Sequence, residues 1–126
     1  MQESLVSIIT PFKNTGLYLK ECIESIQNQT YKNWELLIVD DHSSDNSSEI
    51  IAGYAHDDSR IKLLKNQASG IISALRTGYT HSSGQFITRM DSDDIMAKNK
   101  LKYLVNNLRE YGTGHVATGL VKYFSD

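Results

Sequence analysis

The sequence predicts an α/β fold, with a mostly parallel sheet that is covered by helices on both faces. Short β-rich runs alternate along the chain with segments in which apolar residues recur at helical spacing, and this alternation is typical of parallel sheets. Residues 36–39 are apolar at four consecutive positions, as expected for a strand that is buried on both faces. Two acidic clusters directly follow predicted strands, which places polar chemistry at one edge of the sheet.

Five strands are predicted from β-rich runs that are bounded by turn residues. Pro11, the only proline, is predicted to stop the first run, and the second and fourth runs lead straight into aspartates. The predicted strands span residues 5–9, 34–39, 60–65, 85–90 and 116–124.

Four helices are predicted from apolar residues three, four and seven positions apart, the spacing that forms one face of a helix. Turn and capping residues 43–47 precede the second helix, Gly70 opens the third, and residues 82–84 end it. Gly112 and Gly114 are predicted to end the fourth helix. The predicted core faces are Leu19, Cys22, Ile23 and Ile26; Ile50, Ile51 and Tyr54; Ile72, Leu75 and Tyr79; and Leu101, Leu104, Val105 and Leu108.

Composition limits the classes of function. The 126 residues suffice for one domain, residues 1–126, with a real core. A hydrophobic share of 40% excludes a mainly disordered chain. The net charge of −2 provides no basic field for non-specific nucleic-acid binding. Cys22 is the single cysteine, which excludes a disulfide framework.

The first residues contain neither a basic start nor an apolar signal core, and no stretch approaches the ~20 apolar residues of a membrane span. We therefore expect a cytoplasmic protein, in which any contact with the inner face of the membrane is peripheral. The chain stops directly after its last predicted strand. This favours a chain truncated inside a larger fold over a natural five-stranded domain.

The predicted chemistry lies in two acidic clusters, Asp40 with Asp41 after the second strand and residues 91–94 after the fourth. Ligands of open parallel sheets bind beyond the carboxyl ends of the strands. Hard cations such as Mg²⁺ and Mn²⁺ prefer carboxylate oxygens. Asp91 and Asp93 can both reach one ion if the chain turns between them, and such an ion can also hold a pyrophosphate. The residues therefore predict a metal site at the end of the fourth strand.

Each cluster also has a purely structural interpretation. Asp93 or Asp94 could cap the fourth helix, although one cap does not need four polar residues in a row. Asp40 and Asp41 could form a second metal site, could hydrogen-bond a base or ribose, or could belong to a solvated turn. The residues alone leave these alternatives open.

Four segments, in order and with matching intervals, resemble the motifs of family-two glycosyltransferases. The first, residues 6–14, is similar to the family's V-S-I-I-x-P-x-x-N. The second, residues 25–41, is similar to S-I-x-x-Q-T-x-x-x-x-E-L-I-I-V-D-D, and residues 42–45 stand where the family commonly has G-S-x-D. Residues 84–94 are similar to G-x-Y-I-x-x-x-D-x-D-D. The four motifs are spread across essentially all of the chain, and their combination is far more specific than any one of them.

The resemblance implies the GT-A fold of nucleotide-diphospho-sugar transferases. It also implies a glycosyltransferase that moves a sugar from a nucleotide-diphosphate sugar, most often a UDP-sugar, to a saccharide or lipid-linked acceptor with inversion, using Mn²⁺ or Mg²⁺. Polysaccharide synthesis is the implied setting. Inversion needs a general base, which the family carries downstream of its D-x-D and which we expect beyond Asp126. The chain would then be the donor-binding half of a catalytic domain and need not be active by itself.

The resemblance also assigns roles residue by residue. Asp41 would hydrogen-bond the base, and the nucleotide pocket would be lined by Thr10, Pro11 and Asn14, partly through their backbone. Arg76 lies where the family often has A-R-N-x-G, with Thr77 in place of the asparagine, and would approach the nucleotide. The residues assigned to the nucleotide are Thr10, Pro11, Asn14, Asp40, Asp41, Arg76, Asp91 and Ser92, and those assigned to the metal are Asp91, Asp93 and Asp94.

Three other classes of function share some of these features. A phospho-receiver domain matches the length and layout, but it needs paired acids after its first strand, where Thr10 and Pro11 stand. An aspartate-nucleophile phosphatase shares the D-x-D, but carries it on its first strand. A module that binds a donor without catalysis remains an alternative for this chain.

Overall fold

The computed structural model describes residues 4–111, in which strands and helices alternate as predicted. The predicted fifth strand and the two glycines predicted to end the fourth helix lie outside the described residues. The elements are β1 (Val6–Phe12), α1 (Gly16–Gln27), β2 (Trp34–Asp40), α2 (Ser47–Asp57), β3 (Ile61–Lys65), α3 (Ile71–His81), β4 (Phe86–Arg89) and α4 (Lys100–Tyr111).

The described strands form one sheet in the order β3-β2-β1-β4, and every neighbouring pair is parallel. The chain moves outward from β1 to β3 and then returns to the other side of β1, so the strand order reverses there. All four carboxyl ends lie at one edge of the sheet. In open α/β sheets, ligands bind at that edge, next to the strand where the order reverses.

The prediction that Pro11 stops the first strand is wrong, because β1 continues through Pro11 to Phe12. The backbone of Val6 and of Phe12 hydrogen-bonds towards β2, whereas the carbonyl of Ile9 accepts a bond from Met90 at the end of β4. The backbone N–H and C=O groups of odd-numbered residues in β1 therefore point towards β4. β4 pairs only as far as Ile9, so the proline nitrogen points past the end of that strand, where no hydrogen bond is lost.

Three helices cover one face of the sheet and share one core. The predicted faces of α1 and α4 are buried, and α2 adds Ile51 with Ile50 and Tyr54 packed beside it. The strands contribute the side chains of Val6, Ile8, Leu36 and Ile38, because alternate residues of a strand point to the same face.

The opposite face is covered by α3, and its predicted core face is wrong. Ile72 and Tyr79 are 67% and 64% exposed, whereas Ala74 and Gly78 are buried. A Cβ atom on Gly78 would lie 2.4 Å from Cγ2 of Ile9, so the helix approaches the sheet along its small residues. The larger side chains of α3, those of Ile72, Leu75 and Tyr79, line an open groove of about 410 Å³ beside β4.

None of the helices in residues 4–111 combines the length and the apolar character that crossing a bilayer requires.

Candidate functional site

Asn14 joins the loops that follow β1 and β2 at the carboxyl edge of the sheet. Its Oδ1 accepts the backbone N–H groups of Ser44 at 2.8 Å and Asp45 at 3.2 Å, and its own N–H donates to Oγ of Ser43 at 3.1 Å. Asn14 has a φ of 53°, in the left-handed region that asparagine adopts more readily than most residues. It therefore shapes the rim of the site while remaining exposed.

Thr10 and Pro11 form the floor beneath this rim. Thr10 is fully buried, and its Oγ1 has no hydrogen-bond partner among the described residues. Pro11 is half-buried. The predicted contact of this segment with a nucleotide would accordingly be made largely by its backbone.

Asp40 is buried at the end of β2, and both of its carboxylate oxygens are engaged. Oδ1 accepts the N–H of Ser43 at 2.8 Å, and Oδ2 accepts the hydroxyl of Ser48 in the first turn of α2. Burial opposes ionisation, but the hydrogen bonds from Ser48 and Ser43 prevail and hold the pKa of Asp40 below its ordinary value. The structure thus gives Asp40 a role in organising the loop after β2; its predicted contact with the nucleotide stays a prediction.

Asp41 is more exposed than Asp40 and links the loop after β2 to the loop between β3 and α3. Its carboxylate accepts the N–H of Gly70 at 3.2 Å on both oxygens and the Nδ2–H of Asn66 at 2.9 Å on Oδ1. Each carboxylate oxygen has two lone pairs, so acceptor capacity remains for a ligand. Asn66 was not among the predicted site residues, although its position directly after β3, at the same edge of the sheet, is a signal in the sequence.

Asp91, Asp93 and Asp94 come together after β4. One carboxylate oxygen from each lies within 4.8 Å of the others. The N–H of Asp94 donates to the carbonyl of Asp91 at 3.1 Å, which is the chain turn that the metal-site prediction requires. Helix α4 begins only at Lys100, so neither Asp93 nor Asp94 caps it, and the capping interpretation is wrong. We call these three aspartates the acidic triad.

The electrostatics of the acidic triad favour a divalent cation. Burial and the charges of Asp91 and Asp93 raise the pKa of Asp94. Burial, together with the three aspartates, raises the pKa of the nearby Cys22 thiol to about 12. Nη2 of Arg89 donates to Oδ1 of Asp91 at 3.0 Å and offsets only part of this negative charge. Three converging hard oxygen donors with excess negative charge fit Mn²⁺ or Mg²⁺.

Two predicted residues lie differently from the rest. Ser92 is buried between the aspartates of the acidic triad. Arg76 is exposed on α3, and no hydrogen bond or ion pair within residues 4–111 joins it to Asp41 or to the triad. Its role toward the nucleotide stays a prediction.

Comparison with known proteins identifies the family. The sequence model of "Glycosyl transferase family 2" matches residues 7–126. The chain belongs to glycosyl transferase family 2. The match confirms the family that the motifs predicted. Family 2 chains are glycosyltransferases.

Two bacterial relatives of this family 2 chain show how much of a whole protein it represents. It is 45% identical over 107 residues to the Escherichia coli UDP-Glc:alpha-D-GlcNAc-diphosphoundecaprenol beta-1,3-glucosyltransferase WfgD. It is 40% identical over 107 residues to glycosyltransferase GlyG of Streptococcus pneumoniae serotype 4. Both alignments cover 84% of this chain, but only 42% and 36% of the relatives. The chain thus spans about two fifths of their length.

Solved structures confirm the GT-A fold. Staphylococcus aureus TarS in complex with UDP-GlcNAc matches with a TM-score of 0.76 and 26% identity, over 83% of this chain and 31% of that one. The mannosyltransferase PcManGT from Pyrobaculum calidifontis, in complex with GDP-Man and Mn²⁺, matches with a TM-score of 0.78 and 24% identity, over 85% and 33%. This second likeness concerns the fold alone.

Proposed function

We propose that this chain is the donor-binding half of an inverting glycosyltransferase that uses a nucleotide-diphosphate sugar, with a UDP-sugar as the first candidate. The observation that carries the proposal is the placement of acidic groups on both sides of β1. Asp41 follows β2 and the acidic triad follows β4, and β2 and β4 flank β1 in the sheet. A donor lying across the end of β1 would meet Asp41 with its base and the triad with its diphosphate.

The base end of this site is built from Asp41 and its supports. A carboxylate accepts N–H groups, and uracil offers one in its ring. Asn66 and Gly70 fix the orientation of the Asp41 carboxylate before any ligand arrives. Asn14 and the backbone of Thr10 and Pro11 would border the same pocket. Fixed groups of this kind reduce the ordering cost of binding.

The diphosphate end is built from the acidic triad, with Ser92 within it. Asp91, Asp93 and Asp94 would hold Mn²⁺ or Mg²⁺, which when bound neutralises the charge of the diphosphate leaving group. Arg89 adds a positive charge beside Asp91.

In the proposed reaction, the acceptor oxygen attacks the anomeric carbon from the face opposite the diphosphate. The new carbon–oxygen bond forms while the bond to the diphosphate oxygen breaks, and its electron pair leaves with the nucleoside diphosphate. The acceptor hydroxyl gives its proton to a general base, for which we propose a carboxylate downstream of residue 126.

The acceptor and the location of the whole protein are also proposals. Two relatives are named for acceptors on diphosphoundecaprenol, which supports a lipid-linked saccharide acceptor. An enzyme with such an acceptor would work in the cytoplasm, peripherally bound at the inner face of the membrane.

Calorimetric titration tests the donor site. UDP, GDP, TDP and ADP are each titrated into the folded chain, with and without Mn²⁺. We expect one nucleotide, UDP, to bind saturably and much more tightly with Mn²⁺ than without it. Asp93→Asn should abolish the metal dependence and Asp41→Asn should weaken binding, whereas Asp57→Asn on the exposed side of α2 should leave it unchanged.

A folded chain that binds none of the four nucleotides, or that binds equally well in the Asp41 and Asp93 variants, would contradict the proposed site.

An activity measurement distinguishes an enzyme from a module that only binds the donor. The whole protein should release UDP from a UDP-sugar in an acceptor-dependent manner, and a donor-binding module would not.

A further inference from the structure

We propose that Gln29 is a positioning residue for the acidic triad. The inference rests on the proposed metal-binding function of the triad and deepens it. Gln29 lies two residues beyond the end of α1 and is fully buried, and none of its hydrogen bonds within residues 4–111 reaches Asp41 or the three carboxylates. Its hydrogen bonds instead reach the backbone that follows the triad.

The side chain of Gln29 bonds three parts of the chain at once. Its Nε2 donates to the carbonyl of Ala97 at 2.6 Å, with longer contacts to the carbonyls of Ser25 at 3.2 Å and Met96 at 3.4 Å. Its Oε1 accepts the N–H of Leu101 at 3.1 Å. Leu101 is in the first turn of α4, whose first N–H groups have no partner within the helix. Gln29 therefore caps α4 from outside and holds the segment before it.

Two further residues of α1 hold the same segment. Oγ of Ser25 accepts the N–H of Met96 at 2.9 Å, and Sγ of Cys22 donates to the carbonyl of Asp91 at 3.7 Å. Cys22 and Ser25 are three residues apart, the spacing of one helix face, and Gln29 follows just beyond the end of α1. α1 and Gln29 together thus fix the chain at Asp91, before the triad is complete, and again at residues 96–101.

The segment depends on these anchors because it has no regular structure of its own. Between β4 and α4, the described backbone forms neither helix nor strand. Apart from short turns, such as the bond from Asp94 to Asp91, it bonds through Met90 to Ile9 and through Lys98 to Thr30, one on each side of the triad. Three carboxylates within 4.8 Å also repel one another. Without Gln29, the carbonyl of Ala97 and the N–H of Leu101 lose a buried partner, and the carboxylates are free to move apart.

The test replaces Gln29 by methionine, which has a similar length and makes no such hydrogen bonds. Mn²⁺ is titrated into the chain saturated with UDP, and free Mn²⁺ is followed by electron paramagnetic resonance. Loss of groups that orient metal ligands typically weakens binding by about tenfold or more, and we expect about tenfold for Gln29→Met. Affinity for UDP without metal, which depends on the Asp41 side, should be unchanged.

A matched control separates positioning from stability. Ile51→Ala truncates a fully buried side chain on α2, which packs against α1 and β3, and β3 stands at the other end of the strand order from β4. It should lower the melting temperature at least as much as Gln29→Met while leaving the affinity for Mn²⁺ intact. Ser25→Ala removes one weaker anchor and should give a smaller loss in the same direction, and it answers the question if Gln29→Met does not fold.

The outcomes are distinct. If the wild-type chain binds UDP with Mn²⁺ but Gln29→Met and Ser25→Ala bind Mn²⁺ equally well, the positioning role is overturned and the metal site stands. If Ile51→Ala loses as much affinity for Mn²⁺ as Gln29→Met, the role is one of stability alone and the inference is again overturned. If the wild-type chain binds no Mn²⁺ in the presence of UDP, the proposed metal site and the inference both fail.

Discussion

Both carboxylate oxygens of Asp41 lie 3.2 Å from the backbone nitrogen of Gly70, across the space between the end of β2 and the start of α3. Gly70 makes this contact with a φ of 94°, a conformation that residues with a side chain rarely adopt. A Cβ atom there would meet no other atom within 4 Å. The contact that orients Asp41 therefore depends on the backbone conformation of Gly70. The space around Gly70 would not by itself exclude a side chain.

Gly70→Ala should consequently weaken nucleotide binding through the backbone. The strain costs about 1 kcal/mol of the free energy of unfolding, and relief of that strain turns the N–H away from Asp41. We expect UDP affinity and stability to fall together, as measured by calorimetry and urea denaturation.

Gly53→Ala provides the matched control for that change. Gly53 lies in α2, and a Cβ there also meets nothing within 4 Å. Because alanine is the better helix former, this variant should gain about 0.5–1 kcal/mol and bind UDP as the wild-type chain does. Equal behaviour of the two alanine variants would contradict the role of Gly70.

The fold could be predicted because the strands and three of the helices carry patterns that burial enforces. The third helix shows where such a pattern stops. Ile72, Leu75 and Tyr79 form an apolar row, but Gly78 lets the backbone of α3 approach Ile9, so the small residues became the buried face. The spacing of apolar residues identifies an apolar face of a helix. It does not show whether that face packs against the sheet.

The candidate site also has features that the sequence predicts and features that only the fold reveals. The pair Asp40 and Asp41 was visible in the sequence, but alternate positions along a strand point to opposite faces. Asp40 points to Ser48 on α2, and Asp41 to the loop before α3. Asn66 carries no motif of its own, and only the parallel sheet brings it to Asp41. Arg89 also carries no motif of its own, although it stands only two residues before Asp91, which it contacts.

Glu35 should be important for stability and unimportant for donor binding. It is 4% exposed at the start of β2, where its carboxylate accepts the hydroxyl of Ser7 and the N–H of Ser83, both at 2.6 Å. Burial opposes ionisation, but these bonds, with Lys62, lower its pKa. Glu35→Gln should cost about 2–3 kcal/mol of the free energy of unfolding, measured by urea denaturation.

Lys62→Met tests which partner of Glu35 matters. The ammonium group lies 3.0 Å from Oε1 of Glu35, but the lysine side chain is 49% exposed. Exposed ion pairs contribute less than about 1 kcal/mol, so this variant should be much milder than Glu35→Gln. Both variants should bind UDP normally, since Glu35 lies at the opposite edge of the sheet from Asp41. A loss for Lys62→Met as large as for Glu35→Gln would contradict this account.

Gly78→Ala should destabilise the chain, although the same change in an open helix position stabilises it. The added Cβ would lie 2.4 Å from Cγ2 of Ile9, and such overpacking typically costs about 1–3 kcal/mol. Urea denaturation of a double-mutant cycle with Ile9→Ala checks the cause. Once Ile9 is truncated, Gly78→Ala should no longer cost stability, whereas additive losses in the double variant would show that the clash is not with Ile9.

Asp58 should make stability depend on acid pH. Oδ1 of its carboxylate accepts Nε–H of Arg60 at 3.0 Å, and Oδ2 accepts Nη2–H at 2.9 Å, which with the other bonds lowers its pKa from 3.8 to about 2. The same guanidinium stacks 3.8 Å from the ring centre of Trp34. Because the pKa is lower in the folded state, the stabilisation is fully present above the unfolded value of 3.8 and is lost as the pH falls through about 2.

The comparison of Asp58→Asn with the wild-type chain measures this contribution. At neutral pH the variant should be less stable by about 1 kcal/mol, a value that allows for solvent screening of a partly exposed pair. The difference between the two free energies of unfolding should shrink as the pH falls below about 4 and should be lost as the pH falls through about 2. Asp57→Asn, one residue earlier and exposed, should show no such convergence. A difference for Asp58→Asn that stays constant with pH would mean that the carboxylate acts through packing and not through its charge.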